Sequence, residues 1–180
     1  CKRIVEVKEG PFALEEGPGA EYEGVAALGT LQYMDNREAN QKANELCNRN
    51  GMDVISFGST VAYATEAFEN GLITESDTGG IKLGWNQPYT LVELVGKTAR
   101  REGFGNDIAE GSRAMTEKYG GKEFAIHVKG LECPMHDPRA FWSVALTYAT
   151  SIRGACHCAD PNFYVDMGML DNKDLGLKRT

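Results

Sequence analysis

The sequence predicts a mainly α protein, with short strands at the N-terminus and in mid-chain. Three observations carry the prediction. Apolar residues recur at helical spacing over four segments between residues 35 and 119. Each segment closes on a glycine signal, at Gly51, Gly71, Gly103 to Gly105 and Gly120-Gly121. Strand-like alternation is confined to Ile4–Val7 and Phe124–Val128. Helices joined by short, glycine-marked loops describe a helical domain.

Composition bounds what such a chain can do. With 180 residues, 42% hydrophobic and 25% charged, it can bury one ordinary core or two small ones. The net charge of −7 is spread in both signs and no basic block is present, so no nucleic-acid partner is expected. No apolar run approaches the roughly 20 residues that span a bilayer, so no membrane partner is expected either. The five cysteines form no CxxC pair, which fits reduced thiols and a cytoplasmic setting. The chain begins with Cys1-Lys2-Arg3 and no Met, and reads as a piece of a longer protein.

Taken in order, residues 1 to 19 read as an extended segment and a loop, with turn signals at Gly10-Pro11 and Gly17-Pro18-Gly19. Glu21-Tyr22-Glu23 then opens the apolar run Gly24–Leu28. Its two acids suit either a helix N-terminus or a functional carboxylate. Asp35 and Glu38 form a D-x-x-E capping box for a helix that places Cys47 on its apolar face as a small buried hydrophobe. Met52–Gly58 reads as an apolar bridge, with Ser59 or Thr60 capping a second helix that buries Val61, Ala64, Thr65 and Phe68. A third helix presents Leu91, Leu94, Val95 and Thr98, and a fourth runs from Asn106 to Tyr119 with Ile108 and Met115 inward. Lys122–Lys129 has the period of a strand, with His127 on its polar side as a surface or hydrogen-bonded residue.

Chemistry concentrates between Cys133 and Cys158, which hold two of the three histidines and three of the five cysteines. Asp137 and Pro138 suit the cap and first turn of a helix over Pro138–Ser151. Such a rod is about 21 Å long at 1.5 Å per residue and sets His136 and His157 at opposite ends. Only tertiary folding of the loops could bring them to one cavity. Cys156-His157-Cys158 is a poor zinc site, because paired ligands are normally two to four residues apart. A Cys–His nucleophile is also disfavoured, since such pairs are normally assembled from distant segments.

Several stretches matter for their residues and for their order along the chain. They include Cys1-Lys2-Arg3, Glu15-Glu16-Gly17-Pro18, Glu21-Tyr22-Glu23, Lys42–Asn48, Gly51–Ser56 and Phe68–Ile73. Arg101–Gly105, Val128–Glu132, Pro134–Phe141 and Arg153–His157 complete the set. In this order they resemble the tungsten-dependent aldehyde:ferredoxin oxidoreductase family, and the similarity runs over essentially the whole chain.

The resemblance implies that residues 1–180 belong to the C-terminal helical region of a longer enzyme, with a sub-boundary near 120–123. In that family a tungsten (or molybdenum) bis-pyranopterin oxidises an aldehyde to a carboxylic acid, and a [4Fe–4S] cluster passes the electrons to ferredoxin. By motif, His157 and either Glu21 or Glu23 are the implied catalytic pair, with His136 in the substrate pocket. Asp53 resembles a loop that approaches the pterin, and Arg153 is implied at the cofactor. Cys1 matches the last cysteine of the family's CxxCxxxC cluster run. The run's other cysteines and the downstream fourth are absent from these residues, so the isolated chain is expected to hold no metal and to be inactive. A small aldehyde is the implied substrate, and a homo-oligomer is allowed. The alternative is a cofactor-free helical scaffold or assembly module.

Overall fold

The computed structural model describes residues 3–159, 162–171, 173, 174 and 176. An antiparallel hairpin, β1 (Ile4–Val7) with β2 (Leu14–Pro18), leads into a succession of helices. These are α1 (Tyr22–Leu28), α2 (Arg37–Arg49), α3 (Val54–Glu69), α4 (Pro88–Arg100), α5 (Phe104–Ala109) and α6 (Gly111–Tyr119). A second small hairpin, β3 (His127–Val128) with β4 (Leu131–Glu132), precedes α7 (Trp142–Thr150) and α8 (Asn162–Asp166). The protein is mainly α, as the sequence predicts.

The long helix α3 is the centre of the packing. Its Phe57, Val61, Tyr63, Ala64 and Ala67 are buried, and they join buried side chains of α2, α4, α5 and α6 in the main core. Helix α1 lies against α3 at Gly58, where a Cβ would stand 2.6 Å from the Ala27 carbonyl oxygen. Only a glycine allows that approach. Gln32 locks the crossing, because its buried Nε2 donates to the carbonyls of both Ala27 (3.1 Å) and Gly58 (2.7 Å). A second, smaller apolar cluster gathers Val144, Tyr148 and Ala155 with Val128, Cys133, Phe141 and Phe163.

The helical faces read from the sequence are the buried ones in α2 and α4: Ala39, Ala43 and Cys47 in the first, and Leu91, Leu94, Val95 and Thr98 in the second. Several boundaries differ, each for a local reason. Helix α2 is capped by Asn36, whose side chain accepts from the Ala39 amide, and Asp35 lies one residue outside. Helix α3 starts at Val54, because Asp53 Oδ1 accepts from the Ile55 and Ser56 amides. Ser59 and Thr60 are therefore helix interior, and the apolar bridge is its first turns. The fourth predicted helix is two, α5 and α6, broken at Glu110-Gly111 where Gly111 takes a φ of +84°. Only two residues, His127 and Val128, realise the predicted mid-chain strand, since Lys122–Phe124 winds into a 3-10 turn.

Helix α7 begins at Trp142, not Pro138. Asp137 closes a turn instead of capping: its Oδ1 accepts from the Arg139 amide, and its carbonyl accepts from the Ala140 and Phe141 amides. The rod between the two histidines is thus nine residues, about 13 Å at 1.5 Å per residue. Loops at both its ends are left free to fold back.

Candidate active site

Three segments far apart in sequence meet at one point. Glu23 stands in the first turn of α1, His136 lies in the turn before α7, and His157 lies in the loop after it. The Nδ1 of His136 donates to Glu23 Oε1 at 2.5 Å, and the Met135 amide donates to Glu23 Oε2 at 2.8 Å. The Nδ1 of His157 is 3.9 Å from the same Oε1. Side-chain exposures of 12%, 14% and 22% for Glu23, His136 and His157 leave a carboxylate and two imidazoles half sheltered yet reachable.

Neighbouring groups fix this arrangement. The Tyr22 hydroxyl donates to the Met135 carbonyl (2.8 Å), and the Tyr148 hydroxyl to the His136 carbonyl (3.1 Å). The rings of Tyr22 and Phe163 pack edge-to-face with the His136 ring, with centres 4.9 and 4.8 Å away. His157 stacks on His136 with ring centres 4.7 Å apart and planes 11° from parallel. The Glu23, His136 and His157 ligand atoms lie within 4.8 Å of one another. A metal nevertheless binds an imidazole through the in-plane nitrogen lone pair, and near-parallel planes do not meet at one ion. Proton exchange is in-plane as well, and it runs through the Glu23 carboxylate that both Nδ1 atoms approach.

Burial holds His157 below the ordinary histidine value, and His136 beside it adds to the lowering. The Glu23 carboxylate, and more weakly Asp53, pull the other way. His157 is therefore neutral near pH 7, with one ring nitrogen to donate and one to accept.

Of the two acids left open by the sequence, Glu23 faces both histidines, whereas Glu21 is the exposed residue preceding α1. Asp53 stands at the N-terminus of α3. It borders a cavity of about 340 Å³ that Ser56, Thr60, Thr98, Arg101 and Gly111 also line. Thr98, 7% exposed, has a buried hydroxyl oxygen with no hydrogen-bond partner among the described residues. Arg153 turns its guanidinium to Cys156 Sγ at 3.6 Å.

Of the described cysteines, Cys47 and Cys156 are buried, Cys133 is partly buried and Cys158 is exposed. Burial pushes the Cys47 thiol up to about 12, and raises Cys133 and Cys158 as well. A reactive thiolate is therefore disfavoured at these positions. Cys1 lies outside the described residues. Among the described residues no three cysteines come within ligand distance of one another, so they do not fit a four-thiolate cluster.

Sequence reasoning missed Tyr22, Tyr148 and Phe163, which contact His136, and Met135, whose amide holds Glu23. Tyr22 and Met135 lie inside the family-like motifs, whereas Tyr148 and Phe163 lie outside them and carried no sequence signal.

The helical scaffold thus converges one carboxylate and two imidazoles, all groups able to take up or release a proton, from three segments. The model of a known family, described as aldehyde ferredoxin oxidoreductase, domains 2 & 3, matches residues 1–177. A tungsten-containing aldehyde ferredoxin oxidoreductase of Pyrococcus furiosus is 41% identical over 143 residues, 79% of this chain and 24% of that protein. Its Pyrococcus horikoshii counterpart is 38% identical over 148 residues, 81% of this chain and 24% of that protein. An aliphatic sulfonate oxidoreductase, WOR-like subunit, of P. furiosus is 26% identical over 165 residues, 87% of this chain and 26% of that protein. This chain belongs to the aldehyde ferredoxin oxidoreductase family. It spans about a quarter of the length of the curated relatives it matches.

Proposed function

We propose that this chain supplies the acid–base wall of a tungstopterin enzyme that oxidises a small aldehyde to its carboxylic acid and delivers the electrons through an iron–sulfur cluster to ferredoxin. The observation that carries the reading is the convergence of Glu23, His136 and His157. Overall the reaction takes one aldehyde and one water to the acid, two protons and two electrons. The bound tungstopterin supplies the two-electron acceptor. What the protein must supply is proton management.

His157, neutral and partly exposed, offers a ring N–H to the aldehyde oxygen and so polarises the carbonyl. Glu23 takes the proton that the attacking water must lose. His136 holds the Glu23 carboxylate in place through Nδ1–H. The Met135 amide on the other oxygen keeps the carboxylate from rotating. His157 and His136, stacked and both close to Glu23, give the proton a second place to rest on its way to solvent.

For the pterin, the chain's donor set fits. The cavity beside Asp53 presents hydroxyl, carboxylate and guanidinium groups, including the unpartnered Thr98 oxygen, which match the mixed donors and acceptors of a pterin ring. Asp53, which lines this cavity, and Arg153, which does not and is carried by the family resemblance alone, are the residues we assign to it. The described cysteines do not form the cluster site, so the electron route is assigned to the parent protein as a whole.

The test is replacement of His157 by Ala or Asn in the full-length, metallated enzyme. We expect turnover to fall about 10²–10⁴-fold, the range for loss of a positioned acid–base group, with the metal content retained. Near-normal turnover would sink the reading.

A further inference from the structure

The segment that carries His136 is also held at its other end, by an acid outside the acid–base cluster. Glu132, the last residue of β4, is 3% exposed. Its Oε1 accepts from the Ser112 amide (2.9 Å), the Ser112 hydroxyl (2.8 Å) and the Thr60 hydroxyl (3.4 Å). Ser112 is the second residue of α6, and the residue before that helix, Glu110, makes no side-chain cap. A carboxylate from twenty residues downstream does so instead, setting negative charge against the positive helix end. The site is built for it: at Gly111 a Cβ would stand 3.1 Å from Oε1. Thr60 belongs to the buried middle of α3, so a single oxygen ties β4 to both α3 and α6.

Among the described residues no Lys, Arg or His makes an ion pair with Glu132. The three donors and the helix end therefore offset the cost of burying the charge. Such an anchor is out of proportion to a two-residue strand, unless the residues after the strand need securing. Those residues are Cys133-Pro134-Met135-His136. The Cys133 amide bonds the Ile126 carbonyl at 3.1 Å, Pro134 has a fixed φ, and Met135 and His136 are bonded to Glu23, Tyr22 and Tyr148. The span is pinned at both ends with a rigid residue between.

We propose that Glu132 is a positioning residue, a buried carboxylate cap on α6 that sets the register of residues 132–136 and so holds His136 Nδ1 on Glu23 Oε1. The inference rests on reading Glu23, His136 and His157 as one acid–base cluster, but its test does not depend on turnover. An imidazole N–H held on a carboxylate gives a downfield proton resonance that exchanges slowly with water. In the chain labelled with nitrogen-15 at histidine, that resonance should be present in the wild type and lost in Glu23→Gln, which assigns it. Glu132→Gln, which keeps an acceptor oxygen, should retain it. Glu132→Ala, checked for helicity by circular dichroism, should lose it.

If Glu132→Ala fails to fold, the double variant Thr60→Val, Ser112→Ala carries the test. It leaves Glu132 only the backbone donor, and the resonance should shift or broaden. A wild-type resonance in folded Glu132→Ala, or in the double variant, overturns the proposal, as does its absence from the wild type. A result in which His157→Ala leaves full-length turnover intact while the resonance follows Glu132 would remove the catalytic reading and leave the positioning role standing.

Discussion

At the scale of single residues, the proposed chemistry depends on one carboxylate having two imidazole neighbours. Glu23 is hydrogen-bonded to His136 and the Met135 amide, while His157 stands 3.9 Å off, stacked on His136. His157 is the member whose protonation state the surroundings set most clearly, and this has a consequence for stability. The unfolded chain takes up its proton near the ordinary value of 6.5, whereas the folded chain does so only below it. Between those values the unfolded state carries more protons, so stability is full above 6.5 and falls as the pH drops towards the lowered folded value. We expect the melting temperature to decline on acidification through this window, and to decline less in His157→Gln. Identical profiles would show that His157 is not held neutral. The motif placed His157 and one of two acids at the site, but not their pairing. Residues 21 and 23 differ in environment only because α1 turns Glu23 inward, and sequence carries no trace of the loop closure that brings His136 onto it.

At the scale of elements, two local devices decide whether the site's walls stand in place. The first is the contact of α1 with α3 at Gly58, since α1 carries Glu23. A methyl there meets the Ala27 carbonyl and Cβ, both backbone-fixed. Gly58→Ala should destabilise the protein by about 1–3 kcal/mol through overpacking, read as a lowered melting temperature. An unchanged value would mean that the helices can part freely. The second device is the Asp53 cap. Asp53→Ala should cost about 1 kcal/mol, while Asp53→Asn should cost little because the amide oxygen can still accept from the Ile55 and Ser56 amides. Equal losses in the two variants would assign the effect to charge and not to capping. Helix faces were legible because burial on one side writes a period of 3.6 into α2 and α4. Helix starts were not: Asn36 for Asp35, and Asp53 for Ser59 or Thr60, are choices among nearby capping residues that only backbone geometry makes. Likewise Asp137, a natural cap by composition, uses its carboxylate in a turn with Arg139.

At the scale of the whole molecule, the helices form one main core around α3, while the site lies where α1 meets the loops flanking α7. Exposed apolar side chains on and after α7, Trp142, Leu146 and Ile152, show that this end is not closed by the described residues. No helix among them is long and apolar enough to cross a membrane. On the proposed reading, residues 1–180 supply the acid–base wall, while tungsten and iron belong with the complete enzyme. Elemental analysis should therefore find both in stoichiometric amount on the full-length protein and neither on residues 1–180 alone. Stoichiometric tungsten on the shorter chain would overturn this. The sequence by itself determined the mainly helical fold, the buried faces of its helices and, through ordered motifs, the family. Those are properties of spacing and residue type along the chain. Tertiary structure alone decided that Glu23 and not Glu21 meets the histidines, and that His136 and His157 stack although a whole helix of chain separates them. Nothing in a linear pattern encodes which way two loops close when the partners that hold them, Tyr22, Tyr148 and Glu132, act across more than ten residues of chain.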